Sequence, residues 1–134
     1  MISSDAFSYI NVLDRTMDAS WLRQTMIANN LANVDTPNYK RQDIEFKSVL
    51  ERQMKTTAMQ LGDGSINRVV KNMDTAKLNG TQYTDYANFS YRIDRNNVDV
   101  DTENVELASE QLNYQALTTA TNAEFSRFDI VTKS

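Results

Sequence analysis

The chain has 134 residues with a formal net charge of −4, 40% apolar residues, fourteen asparagines, three glycines, one proline, and neither cysteine nor histidine. With a pI near 4.8 and a mean hydropathy of −0.57, the chain lacks the basic face that phosphate backbones demand, so no nucleic-acid partner is expected; missing Cys and His remove disulfides, thiolate or imidazole metal ligands, a Cys nucleophile and a Ser-His-Asp triad. The length suits a single domain poor in burial material, whose stability a partner can supply, and no apolar run exceeds three residues, far below the ~18 that cross a bilayer, so neither membrane insertion nor a secretory core at the N-terminus is expected.

Residues 4–33 contain no Pro or Gly, and Phe7, Ile10, Leu13, Met17, Trp21 and Leu31 recur at spacings of three and four, with Ile27 and Ala28 between them. That spacing predicts an amphipathic helix. One heptad line runs Ile10, Leu13, Met17, Ser20, Gln24, Ile27, Leu31; its centre is polar where a free two-stranded coiled coil wants apolar residues. Trp21 reads as a packing anchor.

Residues 34–60 read as a turn and a second helix. Val34, Asp35 and Thr36 form the exit, Pro37 pushes Thr36 toward extended geometry, and Asn38 tolerates the left-handed region, so positive φ is predicted there. Asp43 is the expected N-cap of a helix from Ile44 to about Met59, with Phe46, Val49, Leu50, Gln53 and Met54 on one side.

Residues 61–100 hold all three glycines. Asn79-Gly80 favours a tight reversal. A period of two in Phe89, Tyr91, Ile93 and then Val98, Val100, around the turn-like Asp94-Arg95-Asn96-Asn97, predicts a short β-hairpin; Ser65 to Tyr86 reads as a loop with little regular structure.

Residues 101–131 again lack Pro and Gly. Asp101 can cap a helix, and Glu103 and Glu106 complement its dipole. Its stripe Val105, Ala108, Leu112, Ala116, Ala123 is small and narrow, with Leu107, Tyr114, Leu117 and Phe128 on a neighbouring line. The β-branched "LTTAT" weakens intrinsic helicity, so this helix should depend on packing within or between molecules.

Little chemistry fits. "DVDTENVE" places Asp99, Asp101 and Glu103 at alternate positions and Glu110 at the twelfth, as in a calcium loop, but the glycine needed at the sixth is Asn104, so the run reads as a helix start. "GDGS" lacks the spacing and lysine of a phosphate loop. The sequons at Asn79 and Asn88 read as chance in an Asn-rich chain. No enzyme and no cofactor are expected.

"ANNLANVDTPNYKR" resembles the N-terminal signature of bacterial flagellar axial proteins of the rod and hook, Asn-Asn-(Ile/Leu)-Ala-Asn-x-(Asn/Asp)-Thr-Pro-Gly-Tyr-Lys. Asn29, Asn30, Leu31, Ala32, Asn33, Asp35, Thr36, Pro37, Tyr39 and Lys40 match, and Asn38 stands in the glycine place. "RQDIEFKSVLERQM", "NNVDVDTENVELA" and "QLNYQALT" are similar to proximal-rod members of the basal-body rod family. The resemblance implies a mainly α fold whose long terminal helices pair as an antiparallel-type coiled coil, and a structural subunit packing laterally in the rod. It implies packing and assembly through Ile10, Leu13, Met17, Trp21, Gln24, Ile27, Leu31, Val105, Ala108, Leu112, Gln115, Ala116, Thr119 and Phe128, with polar Ser20, Gln24, Gln115 and Thr119 facing other subunits and residues 39–59 extending along the rod. Implied partners are copies of the chain, the rod subunit FlgC, the adaptor FliE, the membrane-ring protein FliF and the flagellar type III export apparatus. The implied location is the periplasmic rod of the basal body, reached without a cleaved signal peptide, and the free chain should be only partly helical until assembly orders it. The competing expectation is a soluble helical adaptor or export chaperone.

Overall fold

A computed structural model describes residues 2–86 and 93–133, with side chains from Phe7 onward, Val131 excepted. Its elements are helix α1 (Ile2–Ala32), strand β1 (Gln42–Glu45), helices α2 (Lys47–Leu61) and α3 (Ile66–Asn72), a 3-10 turn (Thr75–Lys77), strand β2 (Thr81–Thr84) and helix α4 (Val100–Lys133).

The uninterrupted terminal segments form helices of 31 and 34 residues, each about 45–50 Å long at the α-helical rise. They run antiparallel. Phe7 rests on Phe128 with ring centroids 4.9 Å apart, Thr121 Oγ1 reaches Met17 Sδ at 3.4 Å, Trp21 meets Tyr114 at 6.1 Å, and Asn30 meets Glu103 at 3.2 Å. Ile27 is fully buried, while Ile10, Leu13, Met17, Gln24 and Leu31 are half-buried. Trp21 is 62% exposed; it covers Tyr114 with one edge rather than anchoring the core.

The face that α4 turns to α1 is not the expected stripe. Glu103 is buried and Glu106, Glu110, Leu107, Tyr114, Leu117 and Phe128 are half-buried, whereas Val105, Ala108, Leu112, Gln115, Ala116 and Thr119 are exposed. The acids set this rotation: Glu103, Glu106 and Glu110 bond to side chains of α1 and to Arg41 just before β1, and helical periodicity then turns the small-residue stripe outward.

A second layer covers the other side of α1. Ala19, Ile27, Ile44, Val69, Val70, Met73, Leu78 and Val98 form the buried apolar core, supplied by α1, β1, α3 and the segments flanking them. Segment 65–86, expected to be mostly loop, thus carries α3, the 3-10 turn and β2, ordered by four of these residues. Gly80 is required here, because a Cβ at that position would stand 2.4 Å from Ile44 Cγ2.

The two-stranded antiparallel sheet pairs Gln42 with Thr84 through Glu45 with Thr81. A short β pair is therefore present, but in another place. Phe89 and Tyr91 of the expected hairpin lie outside the described residues; Ile93 and Asp94 are turn, 95–99 are irregular, and Val100 opens α4. The Asn96 side chain accepts from the Val98 N–H at 2.8 Å, a local bond that competes with strand pairing. Nor is Asp43 a helix cap. It is a buried residue of β1, and α2 starts four residues later, behind Phe46, with no side-chain cap. Gly62 closes α2 in left-handed geometry, its N–H bonding to the carbonyls of Ala58 and Met59. At α4 the capping acid is Asp99, which accepts from the N–H groups of Asp101 and Thr102 at 3.1 and 3.3 Å.

Candidate functional site: a buried polar joint

Helix α1 ends at Ala32, leaving orphan carbonyls. Asn33 bonds back to the Asn29 carbonyl through its N–H and through Nδ2, and Thr36 Oγ1 donates to Asn33 Oδ1 at 3.1 Å. Within the turn itself, the Asn30 and Leu31 carbonyls accept from the Asn33 and Val34 N–H groups, and the carbonyls of the turn are met by a residue distant in sequence. Fully buried Asn96 donates from Nδ2 to the carbonyls of Asn33, Val34 and Thr36 at 2.8, 3.0 and 2.9 Å.

Asn38 has a φ of 63°, as its glycine-like place predicts. Its N–H donates to the Asp94 carbonyl at 2.6 Å. Lys40 Nζ donates to the Arg95 carbonyl, and Asn97 Oδ1 accepts from the Arg41 N–H at 2.8 Å. The signature turn is thus fastened to residues 94–97, the lead into α4. Asn29, Asp35, Thr36, Pro37 and Asn38 are exposed.

Asn30 is the hub. It is fully buried; Oδ1 accepts from the Gln42 N–H at 2.9 Å and from the Tyr39 hydroxyl at 3.1 Å, and Nδ2 donates to the Gln42 carbonyl at 2.8 Å and to Glu103 at 3.2 Å. Burial together with the Glu103 charge pushes the Tyr39 hydroxyl above its ordinary value.

Beside Asn30 two guanidiniums bind the layers. Arg23 of α1 pairs with Asp43 at 2.9 Å and with Glu106 and Glu110 at 2.8 Å; Arg41 pairs with Glu103 at 2.6 Å, Asp43 at 3.1 Å and Asp85 at 3.2 Å. Ser20 Oγ adds a bond to Glu110 at 2.7 Å. Burial alone would lower both arginine values, but Asp43, Glu110 and Glu106 around Arg23, and Glu103 and Asp43 around Arg41, hold both above their ordinary value. Burial would likewise raise the Asp43 carboxyl; the Arg23 hydrogen bond, the Ile44 N–H, the Arg23 charge and Arg41 together hold it below the usual range.

Among the described residues no cluster of acids, His or Cys could hold a metal ion. The charged groups of the joint are bound to one another, so what the arrangement does is fix α1, β1, the turn and α4 in one geometry. Sequence reading found Asn30, Asn33, Asn38, Tyr39 and Lys40, but missed Arg23, Arg41, Asp43, Asn96 and Asn97. The available signal was the acid series itself, Glu103, Glu106 and Glu110, spaced three and four apart on one helix face and so calling for cationic partners from elsewhere in the chain. Gln24, expected to face other subunits, sits half-buried, and its Nε2 is the buried side-chain polar atom without a hydrogen bond among the described residues.

Residues 10–40, from the first third of α1 through the turn, match the family model described as flagella basal body rod protein. The chain is 33% identical over 124 residues to the flagellar basal body rod protein FlgB of Bacillus subtilis, covering 91% of each chain. To the protein of that name from Borrelia hermsii it is 32% identical over 130 residues, covering 92% of this chain and 95% of the relative. To that of Escherichia coli it is 35% identical over 101 residues, covering 69% and 70%. With its signature turn held by Asn30 and Asn96 and its likeness running nearly end to end, the chain belongs to the flagellar basal body rod protein FlgB family.

Proposed function

We propose that this chain is a structural subunit of the flagellar basal-body rod that assembles through the outward faces of its terminal helices and joins the membrane ring to the rest of the rod. The observation that carries the assembly step is the unpartnered apolar stripe of α4. Val105 is 68% exposed, Leu112 67% and Ile130 69%, at spacings that share one helix face opposite α1. A 34-residue helix that packs on α1 and keeps its opposite apolar face exposed among the described residues presents surface that a soluble monomer rarely displays. On this reading its neighbours are copies of itself, FlgC, FliE and FliF, and the flagellar type III apparatus exports it to the periplasm without removing a signal peptide. It is a structural component, not an enzyme, as the rod proteins it resembles are.

The test is Val105→Asp with Leu112→Asp. Both side chains are exposed, so the helix content by circular dichroism should match the parent, while incorporation into detergent-washed basal bodies and swimming should be lost. Incorporation of the variant at the parent level overturns the assembly surface. Recovery of the parent chain only in a soluble complex, never in basal bodies, would favour the adaptor or chaperone reading.

A further inference from the structure

Helix α2 packs on α3 through one side. Val49, Leu50, Gln53 and Met54 are half-buried and Thr57 is buried, whereas Arg52, Lys55 and Met59 are exposed on the opposite side. Met59 is 83% exposed, and spacings of three and four put these three on one face. That face is basic with an apolar end; its local acid is Glu51, 3.0 Å from Lys55 and itself exposed.

At the other end of α2 lies a groove of about 580 Å³ between α1, β1 and α4. Ala19, Ile44, Phe46 and Leu50 give it apolar surface, and Ser109 and Asn113 of α4 line its rim. Its charged lining is Asp43, Glu45 and Glu110 against Arg23 and Lys47. Beyond the lining, Arg41 is the one further guanidinium against Asp85, Glu103 and Glu106, so the ion-paired network the groove borders keeps an excess of carboxylates. The groove is an acidic concavity with apolar surface in it, complementary to the basic, Met-tipped face of α2.

The geometry points to docking of Arg52, Lys55 and Met59 from one copy of the chain into this groove on a second copy. This rests on the rod-subunit reading and names the partner of one surface. Donor face and groove are different patches, so the contact is heterologous and repeats from copy to copy, as a tube requires. The groove adjoins the start of α2 and the donor face runs from the middle of the helix toward its end; Met59 is twelve residues beyond Lys47, about 18 Å of helix, so α2 bridges from its own groove toward the next.

Because the chain has no cysteine, Met59→Cys and Ser109→Cys can be placed on two differently tagged full-length chains produced together in cells that build the rod. Mild oxidation should give a heterodimer of the two tags. Adding Arg52→Glu and Lys55→Glu to the first chain should lower its yield about tenfold by setting like charges against each other. Glu45→Arg on the second chain should restore the yield, which a merely misfolded first chain would not allow. No heterodimer although both chains are present in basal bodies, or capture of the Ser109→Cys chain by a protein of another mass, overturns the docking while leaving the rod reading intact. Absence of the parent chain from basal bodies overturns both.

Discussion

Asn30 and Gln42 make the pair of hydrogen bonds that a neighbouring β-strand would make. The carboxamide accepts from the Gln42 N–H at 2.9 Å and donates to the Gln42 carbonyl at 2.8 Å, so the last turn of α1 closes the edge of β1 that β2 leaves open. Asn30 is fully buried, and Tyr39 and Glu103 complete its bonding.

Asn30→Ala leaves the backbone groups of half-buried Gln42, the Tyr39 hydroxyl and one oxygen of buried Glu103 without this partner. The expected loss is about 2–4 kcal/mol, read from the urea midpoint with an unchanged slope. Asn30→Asp should cost more, since it keeps the acceptor but sets a carboxylate where an amide now meets Glu103 at 3.2 Å. A midpoint for Asn30→Ala equivalent to less than about 0.5 kcal/mol would show that the pair contributes little.

At Asn38 the side chain is exposed and only the backbone is at stake, with φ at 63°. Asn38→Gly should leave thermal stability within about 0.5 kcal/mol of the parent, as released strain offsets the extra entropy of the unfolded chain. Asn38→Val should cost about 1–2 kcal/mol, because a β-branched residue resists the left-handed region. Equal melting temperatures for the two variants would remove the geometric account of this position.

The terminal helices and the turn were legible because their signals are local: unbroken periodicity in residues 4–33 and 101–131, a single proline at the corner, and an asparagine where positive φ is needed. The density of asparagines was legible only as an oddity. It makes physical sense once Asn96 and Asn97 arrive from the far end to meet the carbonyls and N–H groups that Asn30 and Asn33 leave. Strand β1 was misread because "QDIE" offers Asp43 as a cap, while what makes it a strand is Thr81–Thr84 and the Asn30 side chain, both distant in sequence. The facing side of α4 was misread for a related reason. Its apolar stripe is real, but partly buried guanidiniums need their carboxylates at contact distance, and Glu103, Glu106 and Glu110 outrank the stripe in setting the rotation. Gln24 followed the same error, since a polar seam position reads as outward until the pairing of the two helices is known.

Asp43 is shared by both guanidiniums, with Arg23 Nε at 2.9 Å and Arg41 at 3.1 Å, and its folded carboxyl titrates below the ordinary value of 3.8. The unfolded chain keeps the ordinary value, so at intermediate pH it takes up the proton first. The stability that Asp43 contributes is therefore complete above about pH 5 and is lost as pH falls through 3.8 toward the lower folded value. Asp43→Asn removes one carboxylate from two partly buried arginines and should cost about 3 kcal/mol at pH 7. The gap between variant and parent should shrink steadily in urea titrations at pH 7, 5, 4 and 3 as the parent carboxylate is neutralised as well. A gap of the same size at pH 3 and pH 7 would mean that Asp43 acts through shape and hydrogen bonding alone.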